Sequence, residues 1–220
     1  MSFLHLLTEK PWASTPGGRA DTHDGSAFAV PAATIGLRVF LGVVTVLFSL
    51  LIVAYGTRME FEDWRPGPDL RLLWLNTAML VLSSMAMQWA HVGAGRGEID
   101  NVRIGLIAGG AFAVAFVVGQ TVAWRQLNMM VVFDITSPAI AFFYLITGLH
   151  AVHLLGGLVA WGRTFDKIWR QGFEVAEIRL SVQLCAHYWH FLLLVWLVLF
   201  GLLFSGNDNL GFLLAICGIR

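Results

Sequence analysis

The sequence predicts an all-α membrane protein, a bundle of five transmembrane helices with a cytoplasmic N-terminus and an external C-terminus. Of its 220 residues, 57% are hydrophobic and 13% are charged, whereas a soluble domain carries about 25% charged residues. The apolar residues form five runs, each close to the roughly 20 residues that a helix needs to cross the hydrocarbon core. Nearly all Lys, Arg, Asp and Glu residues lie between those runs.

The five predicted spans differ in sequence but share an almost complete lack of charge. Arg38 is the only Lys, Arg, Asp or Glu inside them. A charge at the middle of a membrane helix costs about 2.5–3.5 kcal/mol on the insertion scale, so uncharged runs are what a lipid-embedded bundle requires. In chain order the spans are Thr34–Gly56, Leu72–His91, Ile104–Trp124, Ala139–Trp161 and Ser181–Phe204.

These spans divide the chain into three regions. We expect a cytoplasmic tail over residues 1–33, a membrane domain over 34–204, and a short apolar tail over 205–220 that lies at the membrane interface or against a partner. From Arg19 onward, the side of the N-terminus carries eight Lys and Arg residues and the opposite side carries five. Because cytoplasmic loops hold the excess of positive charge, this bias predicts the orientation.

Composition also excludes several function classes. Fourteen basic residues balance fourteen acidic ones, so no basic surface for nucleic acid is expected. The two cysteines, Cys185 and Cys217, form no Cys-x-x-Cys motif, which argues against a zinc ribbon, a redox dithiol or covalently attached haem. Proton relays through membranes commonly use Asp, Glu and His chains, so spans without carboxylates argue against an independent proton path.

Histidines are the main polar residues left inside the predicted helices. His150 and His153 lie three apart on the fourth span, and His187 and His190 repeat that spacing on the fifth. Gln183 precedes His187 by one turn. Residues three or four apart share a helix face, so each helix is expected to present one polar patch.

The two patches are expected to meet inside the bundle. Antiparallel helices joined by a short loop bring equal depths together, which should place His153 and His190 at one level, with Tyr144 or Tyr188 in reach. Three interpretations are open: a hydrogen-bonded structural cluster, a haem held by one histidine from each helix, and a transition metal bound through imidazole nitrogens. The structural cluster is favoured, because polar groups in hydrocarbon need partners.

Small residues on the third span form a second pattern. Gly105 and Gly109 make a Gly-x-x-x-Gly step, and Ala111, Ala115 and Gly119 continue at helical spacing. Membrane helices approach each other closely at such residues. We predict that they pack against the chain's own bundle, with a partner subunit as the alternative.

Three segments, in order, resemble subunit III of the haem-copper (cytochrome c type) oxidases over about Arg38–Phe204. The second span has Leu75-Asn76-Thr77 followed by Gln88-Trp89-Ala90-His91. The fourth has Thr147-Gly148-Leu149-His150, then His153 and Gly156, and the fifth has Tyr188-Trp189-His190-Phe191. The spans correspond to the five-helix form of that family.

The resemblance implies a subunit with no active site and no cofactor of its own. Haem and copper would belong to neighbouring subunits, with subunit I as the main contact and subunit II and other members nearby. The family is credited with holding phospholipids, protecting the catalytic core and supporting proton uptake. The implied location is the bacterial plasma membrane, which the chain would cross several times.

For individual positions, the resemblance implies structural roles and none in catalysis or metal binding. Asn76, Trp89 and His91 are secondary positions of the family pattern. The family's two buried glutamates fall here on Val44 or Thr45 and on Gln183, so the resemblance favours a structural role over proton handling. The positions expected to fix the bundle through polar contacts are His150, His153, Gln183, Tyr188, Trp189 and His190.

Two alternatives from other classes are open. An accessory subunit of a nitric oxide reductase would carry nearly the same motifs, and its partner would distinguish it. A haem-binding membrane anchor of a quinone-linked dehydrogenase would show a b-type absorbance spectrum when isolated.

Overall fold

The computed structural model describes residues 31–62, 64, 71–131, 138–169 and 175–204. Within those ranges the chain forms five α-helices and no β-strand, which confirms the all-α fold class. The predicted 205–220 tail and nearly all of the 1–33 tail lie outside the described residues. The helices are α1 (Ala32–Met59), α2 (Leu72–Arg96), α3 (Ile99–Val131), α4 (Pro138–Trp169) and α5 (Val175–Phe204).

Four of the five helices are long and apolar enough to cross a membrane on their own composition. Among the described residues these are Ala32–Met59, Ile99–Met129, Pro138–Trp169 and Ile178–Leu203. The remaining predicted span, Leu72–His91 in α2, is not among them. With 25 residues α2 is long enough, but Asn76, Ser83, Ser84 and Gln88 lower its hydropathy.

Three polar residues of α2 lie inside the bundle. Asn76, Ser83 and Ser84 are all buried, and α2 lies alongside α3 from the level of Asn76 and Gly119 to that of Ala90 and Gly105. Helix α2 therefore runs beside one of the four apolar helices. Neighbouring helices surround these three polar residues.

A two-residue turn joins α2 to α3. Gly97 ends α2 in the left-handed region at φ 76°, and its N–H is directed at the Ala94 carbonyl. The Glu98 N–H donates to the Gly93 carbonyl at 3.0 Å. Glycine adopts this left-handed backbone without the steric cost of a Cβ, so the turn can reverse the chain within one residue of the helix end.

Close packing of α2 on α3 depends on glycine. A Cβ on Gly105 would lie 2.8 Å from both the Ala86 carbonyl oxygen and the Ala90 nitrogen. On Gly109 it would meet the Met87 side chain at 2.8 Å. The prediction that the Gly-x-x-x-Gly step packs within the bundle is confirmed.

The other small residues of the α3 pattern are Ala111, Ala115 and Gly119, and they differ in burial. Gly119 is half-buried against Asn76, whereas Ala111 and Ala115 are exposed. The prediction that this whole pattern packs inside is wrong for these two alanines. Small residues at helical spacing do not by themselves distinguish an inner face from an outer one.

Buried side chains form two clusters. The larger one joins α2, α3, α4 and α5 around Trp189, Trp196 and Phe116. The smaller one attaches α1, whose Val44 and Phe48 pack with residues of α4 and α5. Helix α1 thus lies at the edge of the four-helix core, and most of its surface is exposed.

Candidate functional site

Helices α2 and α5 run antiparallel and are joined by hydrogen bonds from two buried tryptophans. The Trp196 indole N–H donates to Thr77 Oγ1 at 3.0 Å. Seven residues earlier on α5, the Trp189 indole N–H donates to Ser83 Oγ at 2.7 Å. Both indoles are almost completely buried, so their N–H groups need partners inside the protein.

The hydroxyls that accept these indole N–H groups donate their own protons to backbone carbonyls. Thr77 Oγ1 donates to the Leu73 carbonyl at 2.8 Å, and Ser83 Oγ donates to the Gly109 carbonyl at 2.7 Å. A hydroxyl can accept and donate at once, so it satisfies the indole and its own proton together. The Ser83 bond also ties α3 to the α2/α5 pair.

The same arrangement occurs a third time between α3 and α4. The Trp124 indole N–H donates to Thr147 Oγ1 at 3.0 Å, and Thr147 Oγ1 donates to the Phe143 carbonyl at 2.6 Å. Trp161 uses a simpler form, donating directly to the Leu106 carbonyl at 2.9 Å. Tryptophan-to-hydroxyl bonds therefore join α2 to α5 and α3 to α4.

His190 extends the α2/α5 contact. Ser84 Oγ donates to His190 Nδ1 at 2.5 Å, and His190 Nε2 lies 2.9 Å from Gln88 Oε1. An amide oxygen can only accept, so His190 donates its Nε2–H to Gln88. Its ring bridges two residues of α2 that lie one turn apart.

His187 and His91 form the next level along the same helices. His187 Nδ1–H donates to the Gln183 carbonyl at 2.8 Å, and the two imidazole centroids are 6.1 Å apart. The side chains of His187 and Gln183 are exposed. His91 Nδ1 is buried and has no partner among the described residues.

His150 is fully buried between α3, α4 and α5. Its Nε2–H donates to the Leu192 carbonyl at 3.1 Å. The imidazole lies 5.1 Å from the Trp196 ring and 5.9 Å from Phe116, centroid to centroid. It therefore bonds α4 to α5 and fills space beside one of the two bridging tryptophans.

His153 faces α1 instead. Its Nδ1–H donates to the Leu149 carbonyl of its own helix at 2.8 Å, and its ring lies 5.6 Å from Phe48 and 6.2 Å from Phe40. The Tyr188 hydroxyl donates to the His153 carbonyl at 2.7 Å. This residue is the point at which α1, α4 and α5 meet.

The expected single cluster is thus divided among three places. His153 and His190 belong to different helix pairs, and the Tyr144 hydroxyl donates elsewhere, to the Trp124 carbonyl at 3.1 Å and to Asn128 Oδ1 at 2.9 Å. Residues three apart on a helix still differ by about 60° in direction. Since α4 is packed on both sides, that rotation sends His150 and His153 to different neighbours.

The secondary positions of the family pattern, Asn76, Trp89 and His91, also lie in different surroundings. Asn76 is buried, and its amide donates to Gln120 Oε1 of α3 at 3.3 Å; Gly119 leaves the room for it. Trp89 instead is 53% exposed, on the outer face of α2. Gln120, Ser83 and Ser84 take part in the buried network although the sequence patterns did not single them out.

The positions that match the family's glutamates contain no acid. Val44 is buried against α4 and α5, whereas Thr45 is exposed and donates to the Leu41 carbonyl. Gln183 lies on the surface. Among the described residues, the buried polar side chains include no Asp, Glu, Lys or Arg.

These contacts bond helices to one another with neutral donors and acceptors. Where the structure describes the chain, no three His, Cys, Asp or Glu side chains converge in a way that could hold a metal ion. Interhelical hydrogen bonds and close approach at small residues are what hold membrane bundles together. The fold and its interior define a polytopic membrane protein whose buried polar residues join its helices.

Comparison with known proteins identifies the family. The model of cytochrome c oxidase subunit III matches residues 66–206, which include Asn76, His91, His150, His153 and His190. The chain belongs to the cytochrome c oxidase subunit III family. It is accordingly an accessory subunit of a haem-copper oxidase, a multi-pass membrane protein that assembles with other oxidase subunits.

Individual relatives are similar in sequence to this chain over most of its length. It is 28% identical over 178 residues to a protein of Mycobacterium leprae named "Probable cytochrome c oxidase subunit 3", covering 78% of this chain and 86% of that one. It is also 28% identical over 194 residues to cytochrome c oxidase subunit 3 of Thermostichus vulcanus, covering 82% of this chain and 94% of that one.

Proposed function

We propose that this subunit stabilises the catalytic subunit I of its oxidase by packing against it and by retaining phospholipid. The observation that carries the lipid part is a cleft of about 550 Å³ between α1, α4 and α5. Pockets of about 300–1,000 Å³ are the usual size of small-molecule sites. Its walls include Leu37, Phe40, Gly156, Ala160, Cys185 and Tyr188.

The cleft combines apolar walls with positive charge. Arg163 lines it and is exposed. Ser181 also lines it and accepts a hydrogen bond from Lys167 Nζ at 3.5 Å. Basic pockets between membrane helices on the cytoplasmic side bind phospholipid head groups. A lipid phosphate beside Arg163, with acyl chains along Leu37 and Phe40, fits this distribution.

The proposed orientation puts this cleft in the cytoplasmic leaflet. Its lining comes from the start of α1, the end of α4 and the start of α5, which are the ends on the side of the N-terminus. The excess of Lys and Arg on that side supports a cytoplasmic N-terminus. The bacterial relatives support the bacterial plasma membrane as the location.

We further propose that haem and copper are carried by the partner subunits. Supporting this, the histidines of α4 and α5 face different neighbours: the His153 ring lies against Phe48 of α1, whereas His190 contacts Ser84 and Gln88 of α2. One histidine from each of these two helices, His153 with His190, therefore does not present a pair of ligands to one iron. The isolated subunit should then lack a b-type haem spectrum.

Replacing Arg163 by glutamine tests lipid retention. One basic residue near an anionic membrane surface contributes about 1 kcal/mol, which corresponds to about fivefold weaker retention of an anionic phospholipid. Mass spectrometry of the intact oxidase measures the lipid bound per complex. Arg96→Gln is the matched control, because Arg96 ends α2 and does not line the cleft; equal losses in both variants would refute the assignment.

Replacing His153 by leucine tests how α1 is attached. Leucine keeps apolar volume but loses the ring that lies between Phe40 and Phe48, and aromatic pairs of this kind contribute about 0.5–1.5 kcal/mol. We expect less of the subunit in the purified complex. Val152→Leu, on the exposed side of the same turn, is the control, and unchanged stoichiometry and detergent stability in His153→Leu would contradict the role.

A further inference from the structure

The outer surfaces of the bundle are not chemically equal. On the outward side of α1, Val39, Val46 and Leu50 are 60–66% exposed, and the exposed polar side chains between Val39 and Leu50 are the small hydroxyls of Thr45 and Ser49. The groove of about 900 Å³ between α1 and α4 is lined by apolar residues and glycine alone. The outer surface formed by Met85, Gln88, Trp89, His187 and Leu194, the α2/α5 outer face, instead mixes exposed apolar and polar side chains.

The polar members of the α2/α5 outer face lie well inside the membrane. Gln88 precedes Arg96 by eight residues, and His187 follows Arg179 by eight. At 1.5 Å per residue, each lies about 12 Å inward of the arginine on its own helix. Side chains at that depth meet acyl chains unless another protein covers them.

Both polar residues keep an unused hydrogen-bonding group. Gln88 Oε1 accepts from His190 Nε2, so the Gln88 amide N–H₂ is directed elsewhere. His187 Nδ1 donates its proton to the Gln183 carbonyl, so neutral His187 offers Nε2 as an acceptor. Within the described chain, no residue donates to His187 Nε2 or accepts from the Gln88 amide.

Acyl chains can neither donate nor accept, and unsatisfied polar groups are strongly disfavoured in hydrocarbon. Beside Gln88 lies a groove of about 460 Å³ with walls of Val81, Met85, Trp89 and Leu193. This groove can receive apolar side chains of a neighbouring helix. Gln88 and His187 can at the same time form hydrogen bonds with a polar side chain of that helix. The combination suits a helix of another protein better than a lipid.

We infer that the α2/α5 outer face is the surface on which a transmembrane helix of another oxidase subunit docks. That helix places a hydroxyl or carboxamide side chain where it donates to His187 Nε2 and accepts from the Gln88 amide. Its apolar residues fill the groove beside Trp89. The α1 outer face is left to lipid.

Photo-crosslinking in the complete oxidase tests the assignment without disturbing the fold. A photo-crosslinking amino acid at Met85 should give an adduct with another oxidase subunit, and the same group at Val46 should give lipid adducts only. An adduct of twice the subunit's mass at Met85 would indicate a second copy of this chain and overturn the inference. Lipid adducts alone at Met85 would overturn it as well.

A double variant, Gln88→Leu with His187→Leu, measures the polar contribution. Two interhelical hydrogen bonds of about 0.6 kcal/mol each, at 1.4 kcal/mol per tenfold, predict about sevenfold weaker retention of the subunit in the purified oxidase. Ser49→Leu on exposed α1 is the control and should change nothing; unaltered retention in the double variant would count against the docking face. Because the inference depends on oxidase membership and not on the lipid cleft, failure of the Arg163 experiment would leave it intact.

Discussion

Replacing Gly105 by alanine should destabilise the subunit by about 1–3 kcal/mol, the usual cost of overpacking. The added Cβ would lie 2.8 Å from two backbone atoms of α2, the Ala86 oxygen and the Ala90 nitrogen. Backbone cannot rotate away as a flexible side chain can, so the two helices must separate. Loss of stability follows although alanine favours helix over glycine by about 1 kcal/mol.

Gly148→Ala is the matched control for this experiment. Gly148 lies within α4, and a Cβ there meets nothing within 4 Å. That substitution should leave stability unchanged or raise it through helix propensity. Thermal unfolding of the detergent-solubilised protein measures both variants, and a destabilised Gly148→Ala beside an unaffected Gly105→Ala would refute the close approach of α2 and α3.

Truncating Trp189 to alanine should have a still larger effect, about 3–5 kcal/mol. The indole is 0% exposed, so its removal leaves a cavity in the middle of the core. Ser83 also loses the donor that occupies its oxygen. We expect little of the variant in the membrane fraction and a much lower unfolding temperature for what remains.

Two further variants separate the volume of Trp189 from its hydrogen bond. Trp189→Phe combined with Ser83→Ala in a double-mutant cycle should give a coupling of about 0.6 kcal/mol, the average for interhelical bonds in membranes. Trp89→Ala removes an indole that is 53% exposed and should cost the solubilised subunit far less. A comparable loss from Trp89→Ala would show that burial is not what makes Trp189 important.

The helices could be predicted because apolar runs and their lengths are local properties of the sequence. Each of the five runs became a helix, and each helix extends beyond its run, as α3 does from Ile104–Trp124 to Ile99–Val131. Hydropathy gives the part inside the hydrocarbon, while a helix continues into the head-group region. Helix α2 is less apolar than the other four, because its serines and Asn76 lower its hydropathy. These side chains form hydrogen bonds with neighbouring helices.

Contacts between helices were harder to predict. Spacing indicated that His150 and His153 share a face, but it could not show that α4 packs on two sides. Ser83 carried no signal, since a serine in an apolar run is common and its partners, Trp189 and Gly109, lie 106 and 26 residues away. The resemblance to the family identified Trp189 as a structural position without revealing what it bonds.

The short α2–α3 turn has a consequence for biosynthesis. When α2 leaves the ribosome, its serines and Asn76 make it a poor candidate for release into lipid alone. Only two residues later α3 follows, and it brings the Gly109 carbonyl to Ser83. The two segments are therefore suited to leave the translocon as a hairpin with its hydroxyls already occupied, so that α5, synthesised last among the five, completes the fold by adding its tryptophans to acceptors already in place.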